Sequence, residues 1–369
     1  MTANTSRNHP AEEDGSAELL SGTARDLPPG RHQFHKERLM AQIHDLQQAE
    51  HTAAASVQDR PRRRFPRPAI ALPLTAAVLA AAVVAVTSVV LSDDGNGVRD
   101  YGPALTTTIG AASTKGVPQL LDQISLAAAR SSSSRPDVGP GQYIYIRSET
   151  ADSYVRHVGD KSSLAGHPLH TRQTWMSPDG TKGWLIDPAV DDSPEGETLS
   201  LPDEQGNTPK PSLNGPSYDY LTKLTTDPDK LLAKIYAETK GQGNSPDQEA
   251  FSTIGDLLVE SYPPAELYPA LFKAAEKIPG VVVVDDATDA VGRHGVAVAR
   301  LDETSGDRDE WIFDRKTHVF LGVRTVQVGK DSKDSEDGGL IPPGTILFTN
   351  AVLERTVVDG IRQTPSAKS

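Results

Sequence analysis

The chain has no cysteine in 369 residues and only three methionines, and aromatic residues make up 5 % of it. The absence of cysteine excludes disulfide frameworks, thiol catalysis, iron–sulfur clusters and cysteine-ligated zinc. It also removes any risk of mispaired thiols, so the chain can fold in an oxidising or a reducing compartment. So few rings argue against a carbohydrate cleft. Hydrophobic residues reach 37 %, under the ~45–50 % of average usage, a figure that also counts glycine. With 30 glycines and 28 prolines, part of the chain must be loop and linker. Basic charge is short as well: 37 Lys+Arg stand against 50 Asp+Glu, a net −13. Nucleic acid is excluded as a partner on that balance, because counterion release needs a basic patch. The motifs G-x-S-x-G, H-E-x-x-H, Walker A and G-x-G-x-x-G are all missing, as is S-x-x-K with its K-T-G partner. No residue stands out as catalytic, cofactor-binding or metal-ligating.

One feature is plentiful. Residues 69–91, AIALPLTAAVLAAAVVAVTSVVL, form a run of 23 residues without a charge. At ~1.5 Å per residue, a helix of that length crosses a ~30 Å hydrocarbon core with some tilt. Pro73 lies one turn inside its start, where a helix tolerates proline. Arg60, Arg62, Arg63, Arg64 and Arg67 precede the run, and Asp93 and Asp94 follow it. The positive-inside rule then puts the N-terminus in the cytoplasm and everything beyond residue 91 outside, in a single-pass cell-membrane protein whose first partner is the lipid bilayer. A cleaved signal peptide has an apolar region of only ~7–15 residues at the extreme N-terminus, so a signal anchor is expected. Charge divides the same way: residues 1–68 carry net +1 and residues 92–369 net −14.

The expected organisation follows from composition. Residues 1–68 read as a cytoplasmic tail, mostly disordered, with one short amphipathic helix whose Leu39, Ile43 and Leu46 face would suit a cytoplasmic regulator protein or the inner leaflet. Residues 69–91 are the transmembrane helix and 92–116 a Gly/Thr-rich stalk. Residues 117–361 are an extracytoplasmic domain, and 362–369 a disordered C-terminus. Within the domain, helical spacing marks residues 117–130, and Asp227 and Ser245 each cap a helix that opens on proline. A further helix spans 264–278. Strands are expected at 142–148, 171–176, 182–186, 281–285, 294–301, 309–313, 320–328 and 345–358. Ser-Pro-Asp-Gly at 177–180 fits a type I turn that sets Trp175 and Trp184 on two arms of one hairpin. Residues 187–217, rich in Pro, Gly and Asp, read as a surface excursion. The expected fold class is α+β: a transmembrane helix followed by an antiparallel β-sheet covered by helices.

Histidine and carboxylate patterns point to no metal. His167 and His170 flank Pro168 in an expected loop, and His157, His294 and His318 are isolated. The acidic turns at Asp191/Asp192, Asp285/Asp286 and residues 331–337 lack EF-hand spacing and its glycine.

Five stretches carry a family resemblance: PGQYIY at 140–145, WMSPDG at 175–180, YLTKLTTDP at 220–228, WIFD at 311–314 and FLGVR at 320–324. With them the chain resembles a family of uncharacterised actinobacterial single-pass membrane proteins often encoded beside extracytoplasmic-function sigma factors. The last third is also similar, more faintly, to the lipoprotein-carrier-like half-barrel sensors that bind anti-sigma factors. Typical zinc anti-sigma modules use a histidine with paired cysteines, and this chain has no cysteine. The family has no assigned activity to carry over; the expected topology and the absence of motifs point to a non-enzymatic envelope protein without cofactor, whose outer domain binds an extracytoplasmic ligand or protein in sensing or signalling. The alternatives are a cell-wall hydrolase using two carboxylates, and an envelope scaffold or lipid carrier.

Overall fold

Short turns join most of the strand-forming segments of this chain, and strands dominate the structure. The computed structural model describes residues 102–132, 137–158, 161–190, 193–203, 206–329 and 339–365. In chain order the elements are β1 (Ala112–Ser113), α1 (Val117–Ser132), β2 (Tyr143–Val158), β3 (Lys161–Met176), β4 (Gly183–Ile186), β5 (Glu197–Thr198), α2 (Tyr218–Leu221), α3 (Pro228–Glu238), α4 (Pro246–Glu260), α5 (Leu267–Ala275), β6 (Val281–Thr288), β7 (His294–Leu301), β8 (Asp307–Asp314), β9 (Phe320–Gln327) and β10 (Ile346–Val358). The strands join into one antiparallel sheet in the order β1-β6-β7-β8-β9-β10-β2-β3-β4-β5.

This corrects the expected fold class. The described residues are dominated by a single ten-stranded sheet, not an α+β domain headed by a transmembrane helix, and no helix among them is long and apolar enough to cross a membrane. The charge-free run 69–91, the tail 1–68 with its Leu39/Ile43/Leu46 face, Asp191/Asp192 and residues 331–337 lie outside the described residues. The sheet is larger than local patterning suggests because β2 and β3 extend to 16 residues each, well past 142–148 and 171–176. Their extra length, residues 149–158 and 161–170, mixes charged and small residues with strand formers such as Tyr154 and Val155 without clear alternation, and pairing along the hairpin makes it strand.

Two helices start where their caps predict. Asp227 accepts from the amides of Asp229 and Lys230, and Ser245 accepts from that of Gln248, each followed by proline at the first helical position. Helices α1, α3, α4 and α5 pack on the β6–β9 half of one face. Their buried residues, among them Leu121, Ile124, Leu231, Ile235, Phe251, Ile254, Leu271 and Phe272, meet Val281, Val283, Val296, Val298, Trp311 and Phe313 from the strands. Phe251 of α4 stacks on Trp311 with centroids 3.9 Å apart and an angle of 8°. Gly255 permits this approach, since a Cβ there would fall 2.6 Å from Trp311 Nε1.

The opposite face is crossed by residues 102–113, part of the expected stalk. Gly102 exchanges two backbone hydrogen bonds with Gly166 of β3, at 3.0 and 3.1 Å. The Leu105 amide donates to Ser153 Oγ (3.2 Å), and its carbonyl accepts from the Ile346 amide (2.8 Å). Ala112–Ser113 then pair with the outer edge of β6. The strap is held midway by two arginines. Arg308 Nη1 donates to the Gly110 carbonyl at 3.1 Å, and Arg324 Nη1 to Thr107 Oγ1 at 3.3 Å. Glu310 lies between these two side chains, 2.6 Å from Arg308 Nη2 and 2.7 Å from Arg324 Nε, and all three residues are buried.

Candidate functional site

The sheet is continuous, but it splits along one line. β10 pairs with β9 from Ile346 to Ala351, where Ala351 faces Gly322, while on its other side it pairs with β2 as far as Val358. The next two carbonyls along the β9–β10 ladder would be those of Leu321 and Val352. Both instead accept from Arg293 Nη2, at 2.9 and 3.2 Å. A guanidinium carries several donors in a rigid fork, so it can satisfy carbonyls from two strands while holding them apart. Arg293 is itself fixed by Asp289, whose Oδ2 accepts from Arg293 Nε at 2.6 Å. Asp289 Oδ1 accepts the amides of Val291 and Arg293, which shapes the β6–β7 turn around that carboxylate. On the far side of the split, β10 has a bulge between Val352 and Glu354, which bends it away from β9.

The result is a groove of about 250 Å³ between the diverging strands and two helices. Ile124 and Ala128 of α1, one turn apart on the same face, form one wall, and Tyr268 and Phe272 of α5 form the next. Phe313, Val319, Phe320 and Leu321 line the β8–β9 side, and Val352 to Arg355 the β10 side. Phe313 stands edge-on to Phe272 and Phe320, with centroids 5.6 and 5.5 Å away. Val319 is 49 % exposed, an apolar side chain at the mouth. Beside it His318 holds a positive φ of 56° after the Asp314 turn, where Asp314 Oδ1 caps the amides of Lys316 and Thr317.

Three charged groups of the lining, Arg293, Glu354 and Arg355, serve the scaffold. Arg355 donates to the carbonyls of Leu258 and Val259 at the end of α4 and to the Tyr268 hydroxyl, tying β10 to the helical layer. Glu354 pairs with Arg147 of β2 at 3.7 Å. Apolar walls with polar groups committed to the frame suit binding by shape and apolar contact.

The two histidines flanking Pro168 lie in β3, not in a loop, and the structure sends them to different carboxylates. His167 Nδ1 is 2.8 Å from Asp152 Oδ1, and His170 Nε2 is 3.0 Å from Asp187 Oδ1. His294 is exposed and 3.6 Å from Asp286, while His318 lines the groove. Among the described residues no group of three or more His, Asp or Glu side chains is placed to hold a metal ion.

No family model matches the chain, and no curated protein matches it. Among solved structures it is similar to a chain of the complex structure of Pseudomonas aeruginosa MucA/MucB, at 12 % identity and a TM-score of 0.22. The match covers 69 % of this chain and 59 % of that one, so it spans about three fifths of that chain's length. At that score the likeness carries no argument for what this protein binds.

Sequence patterning does not reveal the groove. Its key residue, Arg293, sits in a short turn, and its partners lie 28 and 59 residues further on. The only local signal is Asp289 four residues before Arg293 in a glycine-containing turn, a spacing shared by many surface pairs.

Proposed function

We propose that this chain is a non-enzymatic binding protein of the cell envelope, working outside the cytoplasmic membrane, whose β9–β10 groove receives an apolar segment of a partner protein. Its place is in sensing or signalling linked to an extracytoplasmic-function sigma factor, beside which members of the family that the sequence resembles are often encoded. The observation that carries the binding reading is the Arg293 wedge: a buried carboxylate orients a guanidinium that keeps two strands apart and an apolar groove open between them. Size favours a protein segment over a whole small ligand. At about 250 Å³ the groove falls below the ~300–1,000 Å³ typical of pockets that engulf a drug-sized molecule, so it fits one or two anchoring side chains. An acyl carrier would need a longer apolar tunnel, and a hydrolase would need two uncommitted carboxylates, whereas the groove offers only Glu354, paired with Arg147.

The test places a photo-crosslinking residue at Val319 in the full chain, in the native cell. One dominant protein adduct is expected, and it should disappear when Ala128→Phe fills the groove from the half-exposed face of α1. Adducts of lipid mass, or a protein adduct indifferent to Ala128→Phe, would overturn the reading.

A further inference from the structure

At the far end of the sheet from α1, a second cluster is organised around a proton. His170 stands on β3 with its ring between a backbone carbonyl and a carboxylate. Nδ1 is 2.8 Å from the Pro168 carbonyl oxygen, and Nε2 is 3.0 Å from Asp187 Oδ1. A carbonyl oxygen only accepts, so Nδ1 carries hydrogen. Nε2 makes no aligned hydrogen bond, but it lies at ion-pair distance from the buried Asp187 carboxylate, where a lone pair would be repelled and a second proton attracted. That proximity favours the imidazolium. The His170 side chain is 12 % exposed and that of Asp187 is 3 % exposed. Asp187 has a second cation, Arg172 Nη1, 2.5 Å from Oδ2. The remaining charged groups facing the cluster are Asp152 on β2, itself paired with His167, and Glu260 at the end of α4, which acts on Arg172.

Asp187 stands where the chain leaves β4 and begins the excursion 187–217. Its carboxylate accepts the Ala189 amide at 3.0 Å, and its carbonyl accepts that of Val190 at 3.0 Å. We propose that His170 and Asp187 form a pH-operated latch on this excursion, closed while the imidazole holds two protons and loosened when it loses one. Deprotonation leaves a nitrogen lone pair facing a buried carboxylate. That contact is repulsive, so Asp187 then keeps only Arg172 and its own turn. Titration supports the direction. Burial pulls His170 down, but the adjoining Asp187 carboxylate outweighs it, and the imidazole stays protonated above its ordinary value of 6.5. Burial likewise opposes ionisation of Asp187, yet His170 and Arg172 hold its carboxyl at about 2. A group raised on folding stabilises the fold below its unfolded pKa, and that stabilisation is lost as pH rises through the folded value. The latch thus opens toward alkaline pH. This inference does not depend on the groove.

The test follows the His170 imidazole in the full-length protein by NMR between about pH 5 and about pH 8. In parallel it measures proteolysis within residues 193–203, normalised to an unfolded peptide substrate. The imidazole should titrate above 6.5, and cleavage should rise several-fold over the same interval. In His170→Gln the cleavage rate should be high and flat with pH. A wild-type imidazole titrating at or below its ordinary value would overturn the latch. So would a wild-type cleavage rate that is independent of pH, or one whose pH course His170→Gln reproduces.

Discussion

Replacing Glu310 by alanine should be the most damaging single change on the strap side of the sheet. The carboxylate bridges Arg308 and Arg324 at 2.6 and 2.7 Å, and all three residues are buried. Removing the acid leaves two guanidinium charges in low dielectric beside Ala297, Ala299 and Ile312, the small apolar cluster on that face. Breaking a buried pair by deleting one partner costs about 3–5 kcal/mol, mostly as the penalty of the stranded charge. The residual partners, Gly110 O for Arg308 and Thr107 Oγ1 and Thr288 O for Arg324, are neutral dipoles that soften the loss without cancelling it. Urea unfolding of the full chain, read by tryptophan fluorescence, should show a lower midpoint at unchanged slope. The combined variant Arg308→Met, Glu310→Leu, Arg324→Met should recover most of that loss, because apolar residues of similar volume replace a buried ionic triad at little cost. Its strap should nevertheless be looser, since the guanidinium bonds to Gly110 and Thr107 are gone, and amide exchange over 105–110 should quicken. If Glu310→Ala stayed within the ~0.5 kcal/mol typical of surface changes, the reading of a strap stapled through buried charge would be wrong.

Two further outcomes separate neighbouring residues of similar chemistry. Trp175 is fully buried against Tyr145, with centroids 5.0 Å apart, so Trp175→Ala should lose about 3–5 kcal/mol by urea unfolding. Its partner across the hairpin, Trp184, is half-buried beneath Arg362, 4.9 Å from the ring centroid; Trp184→Ala should forfeit that stack, about 0.5–1 kcal/mol, plus part of its burial, and so rank well below Trp175→Ala. Arg293→Ala strips Asp289 and two carbonyls of a charged donor, so a loss of about 1.5–3 kcal/mol is expected, together with abolished crosslinking from position 319. Crosslinking retained at wild-type yield in that variant would show that the wedge does not shape the groove.

What could be read from sequence was local chemistry. The caps Asp227-Pro228 and Ser245-Pro246 each use a side chain and amides within three residues, so patterning finds them and the structure starts helices there. The hairpin turn at 177–180 closes as expected, with the Gly180 amide on the Ser177 carbonyl at 2.9 Å and φ of 75° at the glycine. β7 occupies 294–301 as its alternation implies. Where pairing, not propensity, decides, the reading stops short. The stretches 149–158 and 161–166 become strand because nearly every residue finds a neighbour across a long hairpin, and residues 102–113 join the sheet through two arginines some 200 residues away. Charged residues such as Arg308, Glu310 and Arg324 look like solvent-facing positions in an alternating strand; only the strap that covers them makes that face an interior.

The same reasoning explains why the groove is invisible in the sequence and why it need not be incidental in the fold. A sheet gains by extending its ladder, and nothing in the residues at Leu321 and Val352 forbids the next pair. The split persists because Arg293 supplies the donor those two carbonyls would otherwise take from amides of the facing strand, and because the β10 bulge adds a residue where the strands part. Both devices act at one point, and the helical layer leaves its aromatic residues Tyr268 and Phe272 facing the resulting gap. Had the gap been a packing fault, the cheaper arrangement would be a β9–β10 ladder continued through Leu321 and Val352 with Arg293 in solvent. A carboxylate buried to aim that guanidinium makes the open arrangement the stable one.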